Sequence, residues 1–324
     1  MVESPEVLTT GPQDDAVAPE SQDGVVAAEV QVGGVEARSA GGGLTGESPT
    51  GVLVAAALVK GAKRLRRAIV MVEKSEDDAI HQVRVSCRRL RSDLKLFRKM
   101  LAGDWAKDLR TELSALANSC GEARDLEVIA ALVRENATSE DDPEHVATIL
   151  STLTVGLERA AARSAEVVTS ERTATLVEDL EAVAAAPELK EKASRPCGEV
   201  LPQLLASARH TFGEAADQLK PWTPDDDWHE VRLLAKRVRY AADTAASVMG
   251  AEAKETAVQA AKFQELLGQH QDHCAAADAL QALAKEAASQ GDAELSFSLG
   301  RLIERHRAAR KPLREEFLSL YHRP

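Results

Sequence analysis

The sequence predicts an all-α protein. It reads as two related helical bundles about a pseudo-two-fold axis, generated by an internal duplication and preceded by a disordered N-terminal tail. Three observations carry this expectation. Aromatic residues make up 3% of the chain, while Ala and Leu dominate the apolar set. Ala loses no rotamer freedom in a helix and lets neighbouring backbones approach closely. Alternating β-branched and aromatic residues, the mark of strands, are nearly absent. From about Gly51 almost to the end, apolar residues recur at helical spacing between short turn-forming stretches.

Taken in order, residues 1–50 are rich in Gly, Ser, Pro and acids and close on "SAGGGLTGESPTG". They hold nine Asp or Glu against one basic residue, Arg38, and so carry most of the chain's net charge of −12. A segment of this kind buries too little apolar surface to offset chain entropy, so it is expected to be a disordered acidic tail. The helical domain follows over 51–324. Breaks are expected near Ser75–Asp78, Gly103, Pro143, Pro187, Pro196, Pro221–Asp227 and Gly250. The joint "AAAPELKEKASRPCG" divides the domain into a first half, about 51–186, and a second, about 196–324.

The halves repeat one another. "HQVRVSCRRLR" begins at His81 and "HEVRLLAKRVRY" at His229. Downstream, "GEARD" starts at Gly121 and "GQHQD" at Gly268, which lie 40 and 39 residues after the respective histidines. Two paired landmarks at matched spacing indicate a duplicated unit. Asp125 and Asp272, which close these segments, are expected to cap helices or to pair with Arg across the bundles.

On a helix at about 100° per residue, His81, Arg84, Arg88, Arg91, Lys95 and Arg98 form one stripe. Val83, Cys87, Leu90, Leu94, Phe97 and Leu101 form another, roughly 110° away. His229, Arg232, Lys236 and Arg239 repeat the basic stripe, which Asp243 ends early where the first half has Lys95. A basic stripe is by default a solvated helix face. Here almost no acids are interleaved, so spacing at i, i+4 leaves repulsion rather than pairing, which calls for an anion. Two such stripes facing each other would form a groove for a ligand charged along its length.

At these residues the sequence resembles the CHAD family, the conserved histidine α-helical domains. The likeness rests on His81-x-x-Arg84-Val85 with Arg88, Arg89, Leu90 and Arg91, and on His229-x-x-Arg232 with Lys236, Arg237, Arg239 and Tyr240. "LANSCGEARDLEV" and "FQELLGQHQD" resemble the family's Gly-Asp segments. The resemblance covers about 51–324. It implies two four-helix bundles around a basic channel, binding of inorganic polyphosphate and association with polyphosphate granules. The ligand site would then be His81, Arg84, Arg88, Arg89, Arg91, Lys95, His229, Arg232, Lys236, Arg237 and Arg239. Many members carry an N-terminal triphosphate-tunnel domain, where this chain has the acidic tail.

Residue chemistry points the same way. Polyphosphate has no bases to read or stack, and its recognition needs Arg and Lys along a track. Single-stranded nucleic-acid sites use stacking rings, and the chain has only ten aromatic residues, so nucleic acid is the disfavoured alternative. A phosphate-transfer enzyme using His81 or His229 is the other alternative. It is set aside because the sequence places no carboxylate to orient either imidazole. No catalytic residue, cofactor or metal is therefore expected. "GQHQDHC" offers the ligand types His270, Asp272, His273 and Cys274, but consecutive residues do not share a helix face, and a structural junction is expected there. His145, His210, His306 and His322 belong to no constellation. The basic residues of "RLIERHRAARKPLREEF" are read as a mixed solvated face. Cys87, Cys120, Cys197 and Cys274 form no CxxC pair and are expected as buried thiols of a cytoplasmic protein. There is no basic n-region, and the longest apolar run, Val52–Val59, is too short for a bilayer.

Overall fold

The structure, a computed structural model, describes residues 43–322 and, before them, a short antiparallel hairpin of β1 (Val30–Val32) and β2 (Val35–Ala37). The rest of the expected acidic tail lies outside the described residues. The hairpin and the ordered approach to the first helix are additions to that expectation.

Ten α-helices follow among the described residues. The first half contains α1 (Thr50–Glu73), α2 (Ala79–Leu96), α3 (Trp105–Ser119), α4 (Gly121–Asn136), α5 (Pro143–Val168) and α6 (Glu171–Ala185). The second contains α7 (Cys197–Ala216), α8 (Asp225–Met249), α9 (Ala251–Ser289) and α10 (Ala293–Tyr321). The halves run in the same order if α3–α4 and α5–α6 are broken versions of the long helices α9 and α10. The breaks have local causes. The Asp142 carboxylate accepts from the backbone N–H of Glu144 and His145, starting α5 at Pro143. The Ser170 hydroxyl accepts from Thr173 N–H and starts α6. Ser75 and Asp78 hold positive φ between α1 and α2, and Gly250 does so between α8 and α9. Three acids, Asp225, Asp226 and Asp227, open α8 where the helix dipole favours them.

The joint between the halves is itself close to symmetric. Thr50, first in α1, donates its N–H to Arg195 O at 2.9 Å, and Cys197, first in α7, donates to Ser48 O at 2.9 Å. Pro49 and Pro196 face each other at its centre. Gly198 donates to Gly46 O at 2.8 Å, and any Cβ on Gly198 would lie 3.3 Å from that oxygen. The contacts of the helical domain thus reach back before residue 51.

Burial follows the predicted apolar stripes. Val83, Cys87 and Leu90 are 0% exposed, Leu94 and Phe97 1%, and Leu101 3%. In α8, Val231, Ala235, Val238 and Ala242 are all buried. Helix α2 ends at Leu96 rather than continuing to Met100, and Met100 N–H turns back to Phe97 O, so Arg98 sits beyond the helix. Three core clusters result. One joins α1, α2, α3 and α6. A second joins α7, α8, the first half of α9 and the end of α10. A third joins α4, α5, the last half of α9 and the start of α10. All four cysteines are free and buried, and burial holds the Cys87 thiol up at about 12. No helix among the described residues is long and apolar enough to cross a membrane.

Candidate functional site

Helices α2 and α8 pack against each other at the meeting of the halves. Arg88 Nε donates to the Tyr240 hydroxyl at 2.9 Å, and Thr244 Oγ1 donates to Asp93 Oδ1 at 3.0 Å. Beside this contact opens a cleft of about 210 Å³. Its walls carry His81, Arg84 and Arg88 from α2, Arg124 and Asp125 from α4, Arg232 and Arg239 from α8, and Gln264, Glu265, Gly268 and Asp272 from α9. Basic side chains of both halves therefore share one site, as facing stripes require. No Phe, Tyr or Trp is among the lining residues.

The repeated Gly and Asp explain how the arginines are held. A Cβ built on Gly121 would lie 3.1 Å from Arg84 Nη1, and Arg84 reaches Asp125, one turn on, at 3.4 Å. In the second half Gly268 faces Arg232, whose Nε and Nη2 would lie 3.9 Å from its Cβ. Asp272 is the acid that favours the Arg232 charge. Each half thus lays its motif Arg over a bare stretch of its own downstream helix, with Asp125 paired to Arg84 and the Asp272 charge acting on Arg232 one turn later. Neither Asp caps a helix, since both lie inside one, and the Arg84–Asp125 pair stays within its own half instead of crossing the bundles.

The cleft is dense in positive charge. Burial lowers the Arg232 pKa, with Arg88 and Arg84 adding to the effect. Lys236 is 8% exposed. Burial first, then Arg232, Arg88 and Arg84, push its amine down to about 6, against the pull of Asp272. The second stripe therefore places Lys236 behind the arginines rather than on the open edge. The Nε of Arg232 and the Oε1 of Gln264 are buried without a hydrogen-bond partner among the described residues.

The remaining expected residues lie outside the cleft lining. Arg89 stands 3.7 Å from Asp243 and over the Tyr240 ring. Arg91, Lys95 and Arg237 gather at the other end of the α2–α8 contact. His229 Nδ1 is 2.8 Å from Gln271 Oε1. Sequence reasoning missed Arg124, Gln264 and Glu265 as lining residues. Only the repeated Gly-Asp spacing pointed to their helices.

The "GQHQDHC" residues separate. Asp272 turns to the cleft, and His273 Nδ1 meets His306 Nδ1 at 2.9 Å. His270 and Cys274 approach Asp225, their ligand-type atoms all within 4.8 Å of one another. Arg314 Nε donates to His270 Nε2 at 2.9 Å, occupying the lone pair a metal would need, and both Arg310 and Arg314 close on the Asp225 carboxylate. Burial, then Arg314, hold His270 down at about 4. This donor set fits a salt-linked junction between α8, α9 and α10 and does not fit a metal. It also draws Arg310 inward from the solvated face expected of the C-terminal segment.

The CHAD domain family profile matches residues 56–281. The uncharacterized protein MT2285 of Mycobacterium tuberculosis (strain CDC 1551 / Oshkosh) is 30% identical over 255 residues, and Rv2226 of strain ATCC 25618 / H37Rv is 29% identical. Each alignment covers 74% of this chain and 46% of the relative, so the chain spans about half the length of the curated relatives it matches. Among solved structures, the CHAD domain of the plant Ricinus communis has TM-score 0.73 at 22% identity, covering 89% of this chain and 96% of that one. PptA from Streptomyces chartreusis has TM-score 0.69 at 22% identity, covering 85% and 100%.

Proposed function

The chain belongs to the CHAD domain family, and from that premise we propose that it binds inorganic polyphosphate in the cleft between its two halves. The observation that carries the reading is the convergence of Arg84 and Arg88 with Arg232 and Arg239 on one site lined by no Phe, Tyr or Trp. A flexible chain of phosphates offers an oxygen to each guanidinium in turn and asks for no stacking surface. Its charge also offsets the repulsion that Arg84, Arg88 and Arg232 exert on Lys236. The role is binding without catalysis, and association with polyphosphate granules follows from it. Retention on immobilised polyphosphate at physiological salt, competed by free polyphosphate and not by equal charge of RNA or DNA, tests it. Preferential competition by RNA or DNA would overturn it in favour of nucleic acid. Shortening of the polyphosphate during incubation would instead favour phosphate transfer, with His81 as the histidine placed in the cleft.

A further inference from the structure

The row of cations on α2 does not stop at the cleft. Arg91 and Lys95 continue it, Arg98 follows in the turn after α2, and Arg110 of α3 and Arg237 of α8 close on Lys95 from two other helices. After burial, the strongest effects on the Lys95 amine come from the charges of Arg237, Arg110, Arg98 and Arg91. None of the five takes part in an ion pair among the described residues. Lys95 and Arg98 are exposed, while beside them the Nε atoms of Arg110 and Arg237 are buried without a hydrogen-bond partner among the described residues.

The repeat explains the excess. The register that places His81 on His229 places Arg89 on Arg237 and Asp243 on Lys95. On one side of the α2–α8 contact Arg89 therefore meets Asp243, at 3.7 Å, and is closed off by an ion pair. On the other side the equivalent positions hold Arg237 and Lys95, two cations whose charges act on each other. Like charges so placed repel, and an anion between them offsets the repulsion.

We propose that Arg91, Lys95, Arg98, Arg110 and Arg237 form a second phosphate-chain subsite, continuous with the cleft along α2, and that the Arg89–Asp243 pair closes its twin. A long polyphosphate then leaves the cleft on one side only. This rests on the polyphosphate reading of the cleft. A chain of three phosphates fits within the cleft, whereas a longer one gains the second subsite at high effective concentration.

The test compares tripolyphosphate with chains of about 100 phosphates, whose gain over the short ligand comes from the second contact. One variant is Lys95→Asp, which offers Arg237 the partner that Asp243 offers Arg89. The other is the double variant Arg98→Ala, Arg110→Ala, which removes charge without adding an acid. Both are expected to keep tripolyphosphate affinity within about twofold while long-chain affinity falls about tenfold and its salt slope flattens by about two units. Undiminished long-chain binding in both variants, or an equal loss for the short ligand, would overturn the second subsite while leaving the cleft intact. Wild-type protein that binds neither ligand would remove the cleft reading and this one with it.

Discussion

At the scale of single residues, the two motif glycines make a differential prediction. Gly121 and Gly268 hold equivalent places, but a Cβ would meet Arg84 at 3.1 Å and Arg232 at 3.9 Å. Gly121→Ala should displace the Arg84 guanidinium and weaken polyphosphate binding several-fold, while Gly268→Ala leaves it nearly unchanged. Gly268→Ala should melt at or above the wild-type temperature, since Ala favours a helix interior by about 0.5–1 kcal/mol, whereas Gly121 opens α4 and has no such gain to offset the displaced Arg84. Arg84→Ala, Arg88→Ala and Arg232→Ala should each cost about 1.5–3 kcal/mol of binding, the worth of a hydrogen bond to a charged group. Lys236 contributes a pH dependence. Its amine titrates at about 6 when folded, against about 10.4 in an unfolded chain. Between those values the unfolded state binds the extra proton, so stability rises with pH, and the cost of burying Lys236 is largest below about pH 6. Lys236→Met should therefore stabilise most at pH 5–6 and progressively less toward pH 10, read as the melting difference from wild type (about 2.303RT per unit over the window).

At the scale of elements, close approach and loop anchoring carry the most weight. In α1, a Cβ on Gly61 would lie 2.3 Å from Leu90 Cδ2, and Leu90 is fully buried. Gly61→Ala should cost about 1–3 kcal/mol by overpacking the α1–α2 contact, despite the gain in helix propensity, as chemical denaturation would reveal. The α4–α5 loop is fixed by Asp141, whose carboxylate is gripped by both terminal nitrogens of Arg305 in α10. The hydrogen bond from Arg305 holds the Asp141 pKa down at about 2. A lowered carboxylate pKa stabilises the fold above the unfolded value near 4, and that contribution is lost as pH falls through about 2. Asp141→Asn should remove about 2 kcal/mol at pH 7 and leave a flatter acid limb, measured by urea unfolding from pH 7 to 2. The length of α9 has its own consequence. Its first part buries Ala257, Ala260 and Leu267 against α7 and α8, and its last part buries Ala277 and Leu280 against α4 and α5. One rigid helix thereby joins two cores.

At the scale of the molecule, the halves are held in register by the joint around Pro49 and Pro196 as well as by α2–α8. Removing residues 1–42 leaves the described joint whole. Removing residues 1–50 deletes the Ser48 and Gly46 carbonyls that accept from Cys197 and Gly198, and the N–H and hydroxyl of Thr50 that bind Arg195. The longer deletion should lose about 2 kcal/mol relative to the shorter, from backbone hydrogen bonds worth about 0.5–1.5 kcal/mol each, and melt about 4–8 °C lower. Equal melting temperatures would show that the joint contributes nothing to the packing of the halves.

The helical class, the break between the halves and the apolar stripe of α2 were legible in the sequence, because each depends on local periodicity and punctuation. Val83, Cys87, Leu90 and Leu94 could face a core only if the helix ran as their spacing says. The repeated histidine–arginine and Gly-Asp segments gave both walls of the cleft. The spacing could not say which basic residues share a cleft, because that depends on how α2 crosses α8 and where α4 and α9 come down beside them. Packing turned Arg232 toward the opening, placed Lys236 behind it, paired Arg89 with Asp243 and left Arg237 against Lys95. It also parted Asp272 from His270, which two-residue spacing sets on opposite faces of α9, one at the cleft and the other in a buried junction. Charge along a chain is fixed by sequence, but whether two charges attract, repel or never meet is fixed by distances between helices, and those only the tertiary structure decides.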